Sequence, residues 1–71
     1  MPELFEDWIA ARPGLAELAA VDGAEQERFP QFLYEMCARL KLGLVLTERQ
    51  EAAAAGAWRR WKEARRRARQ T

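Results

Sequence analysis

Hydrophobic residues recur along this chain at the three- and four-residue spacing of an α-helix, not at the alternate positions of a half-buried strand. The spacing predicts helices at about 2–11, 15–21, 30–42 and 48–69, of which the last is the longest. Residues 24–29 fit no element clearly. The β-branched residues are few and scattered, which argues against a sheet. The sequence therefore predicts a single all-α domain of three or four helices that covers the whole chain.

Turn and capping residues set the expected boundaries of these helices. Pro13-Gly14 is expected to end the first helix, because proline disfavours helical geometry at the residue before it. Gly43 is expected to cap the third helix, since glycine accepts a left-handed backbone without steric cost. Thr47, followed three residues later by Gln50, matches a capping box at the start of the last helix. The short link between these two signals predicts an antiparallel hairpin of the last two helices.

The third helix carries the clearest candidate core face. Its apolar residues keep the spacing of one helix face, and they are Phe29, Phe32, Leu33, Met36, Cys37 and Leu40. We expect this face to be buried, with the first two helices covering the seam of the hairpin. Trp58 and Trp61 lie on the apolar arc of the last helix, and we expect both, like Trp8, to belong mainly to the core. An exposed Trp8 would instead mark an interface, because tryptophan is enriched at binding hot spots.

The chain offers few groups for catalysis. A domain of 71 residues is too small for a multidomain enzyme, and the sequence contains no histidine and no serine. Its one cysteine, Cys37, has no histidine to activate it and lies on the apolar face of the third helix. The sequence holds no glycine-rich phosphate loop and no metal-ligand spacing. We therefore predict a non-enzymatic protein with no catalytic residues, no metal, no cofactor and no small-molecule substrate.

Signals for membranes and export are missing from the sequence as well. No segment approaches the ~18 apolar residues of a membrane span. The N-terminal segment is acidic, whereas a signal peptide begins with basic residues. A single cysteine cannot form an intrachain disulfide. We expect a cytoplasmic protein that does not bind membranes.

Charge is divided unevenly along the chain, although the net charge is only +1. Residues 1–35 contain eight acidic and two basic residues, a net charge of −6. Residues 36–71 contain three acidic and ten basic residues, a net charge of +7. Such asymmetry between halves suggests a protein that binds a charged partner.

On a helical projection, basic residues cover most of the last helix outside its apolar arc. These candidate binding residues are Arg59, Arg60, Lys62, Arg66, Arg67 and Arg69. Arg65 falls at the edge of the apolar arc and is, with Trp8, a candidate interface residue. Arginine forms bidentate contacts with phosphate and stacks on bases, and each neutralised phosphate releases counterions. The sequence thus favours contact with a polyanion, either nucleic acid or a nucleoprotein complex.

A protein-interaction module is the alternative interpretation. The basic residues could also meet an acidic protein surface, and the acidic half could dock on the basic half of another copy to form a homodimer. A regulator or inhibitor of a larger bacterial or phage machine belongs to this class. Base-specific reading by a helix-turn-helix is disfavoured, because the last helix opens with Glu48 and Glu51, which repel phosphate, and continues with four alanines.

Overall fold

Five helices account for most of residues 4–70, the part of the chain that the computed structural model describes. They are α1 (Phe5–Ala10), α2 (Pro13–Ala19), α3 (Gly23–Gln26), α4 (Gln31–Lys41) and α5 (Glu48–Gln70). No strand occurs within this range, so the predicted all-α class is confirmed. The first two positions of the predicted first helix, 2–3, lie outside the described residues.

The presence of α3 corrects the prediction of three or four helices. It is a single turn that overlaps the segment 24–29, to which the sequence assigns no element. Asp22 caps this turn, because its side chain accepts a hydrogen bond from the backbone N–H of Glu25 at 2.8 Å. Pro13 also opens α2 two residues earlier than predicted. Proline lacks a backbone N–H, but N–H groups in the first turn of a helix have no intrahelical acceptor, so this position tolerates proline. The same proline therefore ends α1 and begins α2.

Hydrogen bonds fix both ends of the link between α4 and α5. Gly43 has a φ of 77°, and the N–H of Leu44 donates to the carbonyl of Arg39 at 3.0 Å, as in a Schellman motif. Thr47 Oγ1 accepts from the N–H of Gln50 at 3.1 Å, while Gln50 Oε1 accepts from the N–H of Thr47 at 3.0 Å. The predicted glycine cap and capping box are both confirmed. The antiparallel course of the two helices stays a prediction.

The hydrophobic core draws on every helix except α3. Its buried members are Trp8, Leu15, Leu18, Val21, Phe29, Leu33, Met36, Cys37, Leu40, Leu46, Ala54 and Trp58. This set confirms the predicted face of α4 with one exception, since Phe32 is 41% exposed. Phe32 lies about 100° around the helix from Leu33, at the edge of the buried stripe. It lines a groove with Ala57 and Ala64, whose side chains are too short to cover a phenyl ring.

The end of α4 is tied to the segment that follows α2. The ammonium group of Lys41 donates to the carbonyl of Ala19 at 3.1 Å and also to the carbonyl of Val21. The thiol of Cys37 donates to the carbonyl of Leu18 at 3.4 Å. These contacts tie α4 to backbone carbonyls at and just after the end of α2, where helical carbonyls lose their regular partners.

The long helix α5 dominates the shape of the molecule, which measures 49 × 19 × 18 Å. With 23 residues, α5 is about 34 Å long. Its middle is anchored by Ala54 and Trp58 in the core, whereas residues 66–69 are all exposed. None of the helices described between residues 4 and 70 is long and apolar enough to cross a membrane.

Candidate functional site

The helix that carries the candidate site is stable by its own sequence signals. The capping box at Thr47 and a run of four alanines favour helix at its start. Glu48 and Glu51 lie in its first turn, and Arg67 and Arg69 lie in its last turn. Both placements complement the helix dipole. The candidate arginines therefore project from a regular helix, and their directions follow its turn of about 100° per residue.

One side of α5 is joined to α2 through a shared carboxylate. Glu17 Oε1 accepts from the indole Nε1 of Trp58 at 3.1 Å and from Nζ of Lys62 at 2.7 Å. The same ammonium lies 5.3 Å from the centroid of the Trp58 ring, as in a cation–π contact. The hydrogen bond from Lys62 lowers the pKa of Glu17, and its effect exceeds that of burial, which works in the opposite direction.

A second carboxylate repeats this arrangement one turn further along α5. Glu25, on α3, accepts from Nε1 of Trp61 at 3.1 Å and forms an ion pair with Arg65. The Trp61 ring also meets Phe29 edge to face, with 5.2 Å between centroids and 79° between planes. Each carboxylate therefore holds one indole and the cation four residues after it. We call Trp58, Trp61, Lys62 and Arg65 the inner edge of α5.

The inner edge changes the picture that the sequence gives of the basic residues. Lys62, a candidate binding residue, is paired within the molecule, and so is Arg65. The sequence does contain a signal for this pairing that the charge count overlooks. Tryptophan is followed four residues later by a cation twice, at 58 and 62 and at 61 and 65, and residues at this spacing share a helix face.

The remaining cations of this region do not pair with α2 or α3, and Arg69 also lines a groove beside Trp61. Arg59, Arg60, Arg66 and Arg69 are exposed and form no ion pair or side-chain hydrogen bond with any residue in the described range 4–70. Arg67 pairs with Glu63 at 3.3 Å, but its side chain is 78% exposed. We call these five residues the outer arginine face, and along the helix axis they span about 15 Å.

Trp8, a candidate interface residue, is only 4% exposed. The guanidinium carbon of Arg12 lies 4.6 Å from the centroid of its ring. Arg12 also donates to the carbonyl of Trp8 at 2.8 Å and to Glu51 at 2.6 Å. The exposure that would mark Trp8 as an interface residue is therefore not observed. Its ring instead joins α1 to the core.

Two surface grooves flank Trp61. The first has a volume of about 440 Å³ and lies between α3 and the end of α5, with Arg28 and Arg69 among its lining residues. The second has a volume of about 370 Å³ and contains the exposed Phe32, with Arg60 in its lining. The sequence predicts neither groove, because each forms between segments more than 20 residues apart along the chain.

The one thiol of the chain lies in the hydrophobic core. The thiol of Cys37 is fully buried, and burial raises its pKa, which disfavours the reactive thiolate. No group of three or more cysteine, aspartate or glutamate residues in this range could hold a metal ion. What the described surface does offer is charge, in the form of unpaired guanidinium groups.

Comparisons with models of protein families, with curated proteins and with solved structures find no match for this chain. The side chains described above are therefore the basis for assigning a function.

Proposed function

We propose that this protein is a non-enzymatic binding module whose outer arginine face contacts a polyanion, either nucleic acid or a nucleoprotein complex. The observation that carries the proposal is the division of charge on α5. Carboxylates from α2 and α3 pair with Lys62 and Arg65 on the inner edge. Four arginines of the outer face keep no carboxylate partner among residues 4–70.

Arginine suits this role because its planar guanidinium group is always charged and forms two parallel hydrogen bonds with a phosphate. It is also weakly hydrated, so it gives up water at lower cost than lysine does. The outer arginine face consists of five arginines, because the lysine of this region, Lys62, belongs to the inner edge. The proposal includes a cytoplasmic location, where nucleic acid is accessible.

The proposal also includes the antiparallel hairpin of α4 and α5. The Schellman turn at Gly43 and the capping box at Thr47 stop one helix and start the other within a few residues. Such a hairpin would anchor the first half of α5 on the core and leave the arginines of its second half open to a large partner.

A salt series with matched variants tests the proposal. Arg59→Gln/Arg66→Gln removes two charges from the outer arginine face. Arg39→Gln/Arg49→Gln removes two exposed charges elsewhere that form no ion pair within the described part of the chain. Binding of a generic duplex and of a single strand is measured by fluorescence anisotropy. We expect the first variant to bind more weakly and to lose about 0.9 in salt slope per lost contact with duplex phosphate. We expect the control to behave like the unmodified chain. Equal behaviour of the two variants would contradict the proposal.

The protein-interaction module is kept as a second candidate because of the groove beside Phe32. That side chain is 41% exposed, and Trp61 lines the same groove with Arg60. An apolar site next to an unpaired cation fits an acidic protein surface that also presents an apolar side chain. A dimer mass in light scattering, together with no salt-sensitive binding of nucleic acid, would favour this candidate.

A further inference from the structure

The groove between α3 and the end of α5 combines positive charge with an aromatic floor. We call it the Trp61 groove. Trp61, Ala64 and Ala68 contribute its side on α5, and Arg28 and Arg69 also line it. Its volume of about 440 Å³ lies within the range of small-ligand sites, roughly 300–1,000 Å³.

Charge in the groove is unbalanced toward the positive. Three guanidinium groups line it, those of Arg28, Arg65 and Arg69, against the single carboxylate of Glu25. Glu25 is already engaged, because it accepts from Trp61 and pairs with Arg65. Arg28 and Arg69 form no ion pair with any residue that the structure describes. The groove therefore presents two guanidinium groups that have no ion-pair partner among the described residues, beside the ion pair of Glu25 and Arg65.

Trp61 is held in place and only partly covered. Its indole N–H is fixed by Glu25 at 3.1 Å, and its ring meets Phe29 edge to face. It remains partly exposed, whereas Trp8 and Trp58 are each only 4% exposed. Ala64 and Ala68 follow it along α5 and leave space above the helix because their side chains are short. An aromatic surface that is fixed in advance loses little entropy when a flat ligand stacks on it.

We propose that the Trp61 groove binds one nucleotide of a single-stranded nucleic acid, with the base against Trp61 and the phosphates on Arg28 and Arg69. This inference rests on the proposed function and specifies the kind of polyanion. Proteins that bind single strands combine a positive groove with aromatic side chains on which bases stack. In a duplex the base faces are already stacked on one another, so a duplex can reach the arginines but not the tryptophan.

The first experiment compares labelled (dT)12 with a 12-base-pair dA·dT duplex at about 0.1 M salt. We expect the single strand to bind more tightly than the duplex by about fivefold or more, the effect of one stacked base. We also expect it to quench tryptophan emission, whereas the duplex does not. The quenching should disappear in Trp61→Phe, because the two remaining indoles are buried.

The second experiment compares Arg28→Gln with Arg49→Gln. Both residues are exposed and unpaired within the described chain, and each substitution removes one positive charge. Position 49 lies about 30 Å from position 69 along α5, well beyond the ~10 Å screening length at 0.1 M salt. We expect Arg28→Gln to weaken binding of (dT)12 about tenfold, as for a lost hydrogen bond to a charged group. We expect Arg49→Gln to leave it unchanged.

The outcomes separate this inference from the function on which it rests. Equal affinity for single strand and duplex, with Arg28→Gln and Arg49→Gln alike, overturns the groove site and leaves the outer arginine face standing. No binding of either nucleic acid at low salt overturns both proposals. Arg28 is exposed, so its substitution tests the groove even if Trp61→Phe alters the packing near Phe29.

Discussion

Both sides of α5 carry positively charged residues, but these residues have different surroundings in the fold. On the inner edge, Lys62 and Arg65 pair with carboxylates that α2 and α3 bring alongside. On the outer arginine face, Arg59 and Arg66 are exposed and form no ion pair with any residue in the range 4–70. The difference comes from what the fold places opposite each side. A count of cations along the sequence therefore overstates the charge that a partner can reach.

The two sides also differ in what their charges do for the fold. The pair between Lys62 and Glu17 is well exposed, at 38% and 55% of the respective side chains, and exposed ion pairs contribute little to stability. The tryptophans that share these carboxylates contribute more, because they bury large rings. The inner edge is thus stabilised mainly by its apolar rings, and its charged groups hold those rings in a fixed orientation.

The largest expected difference between the two sides of α5 is in the loss of stability caused by Trp58→Ala and by Arg59→Ala. We expect a loss of about 3–5 kcal/mol, as for other buried aromatic residues replaced by alanine, because Trp58 is 4% exposed and packs on Phe29. Its neighbour on the outer face gives the control, since Arg59→Ala should change stability by less than about 0.5 kcal/mol. Urea unfolding monitored by circular dichroism measures both. Similar midpoints for the two variants would show that the sides are not distinct.

Leu33→Ala extends the comparison to adjacent positions of α4. Leu33 is 1% exposed and Phe32 is 41% exposed. We expect Leu33→Ala to cost about 2–5 kcal/mol through the cavity it leaves, and Phe32→Ala to cost clearly less. Thermal unfolding of the two variants tests this. A larger loss for Phe32→Ala would place the buried face of α4 elsewhere.

Thr47→Ala compares the anchored start of α5 with its exposed end. The hydroxyl of Thr47 accepts from the N–H of Gln50 at 3.1 Å, and removal of such a cap costs about 1 kcal/mol. Arg66→Ala, near the other end, should change the free energy of unfolding much less. Denaturant midpoints give both values. Equal effects would indicate that the cap contributes nothing to the stability of the helix.

The pH dependence of stability gives the smallest expected effect. The pKa of Glu17 is lowered in the folded protein by the hydrogen bond from Lys62. The contribution of ionised Glu17 to the free energy of unfolding is therefore fully present above its pKa in the unfolded chain, about 4.3. This contribution is lost as the pH falls through the lower pKa of Glu17 in the folded protein. We expect Glu17→Gln to be slightly less stable than the unmodified chain at pH 6. The difference should shrink as the pH falls through the lowered pKa of Glu17, and melting curves at successively lower pH measure it.

Turns, helix caps and helix faces depend on residues that are close together in the chain, so they can be predicted from the sequence. The turn at Gly43 and the capping box at Thr47 are encoded within a few positions, and both form as expected. Four of the expected α4 residues are buried for the same reason, since helical spacing alone puts them on one face. Phe32 shows where this reasoning fails. Its exposure depends on the size of the residues that α5 places beside it.

The candidate site is less predictable because its pairs join distant parts of the chain. Glu17 and Lys62 are 45 positions apart, and Glu25 and Arg65 are 40 apart. Charge asymmetry indicates that the halves attract, but it does not say which cations are paired and which remain free. The outer arginines are identified from the sequence by their distance from the apolar arc. The Trp61 groove needs the position of α3, which no sequence signal fixes.

The reactivity of Cys37 with a thiol reagent can report how often the core of the molecule opens. Cys37 is the one thiol of the chain, it is fully buried, and its Sγ lies 3.4 Å from the carbonyl of Leu18. An alkylating reagent can reach it only when the core around it opens. If closing is faster than alkylation, the rate of labelling in native buffer reports the opening equilibrium of the core. Labelling with and without nucleic acid would then measure how far a ligand on α5 stabilises a contact that it does not touch.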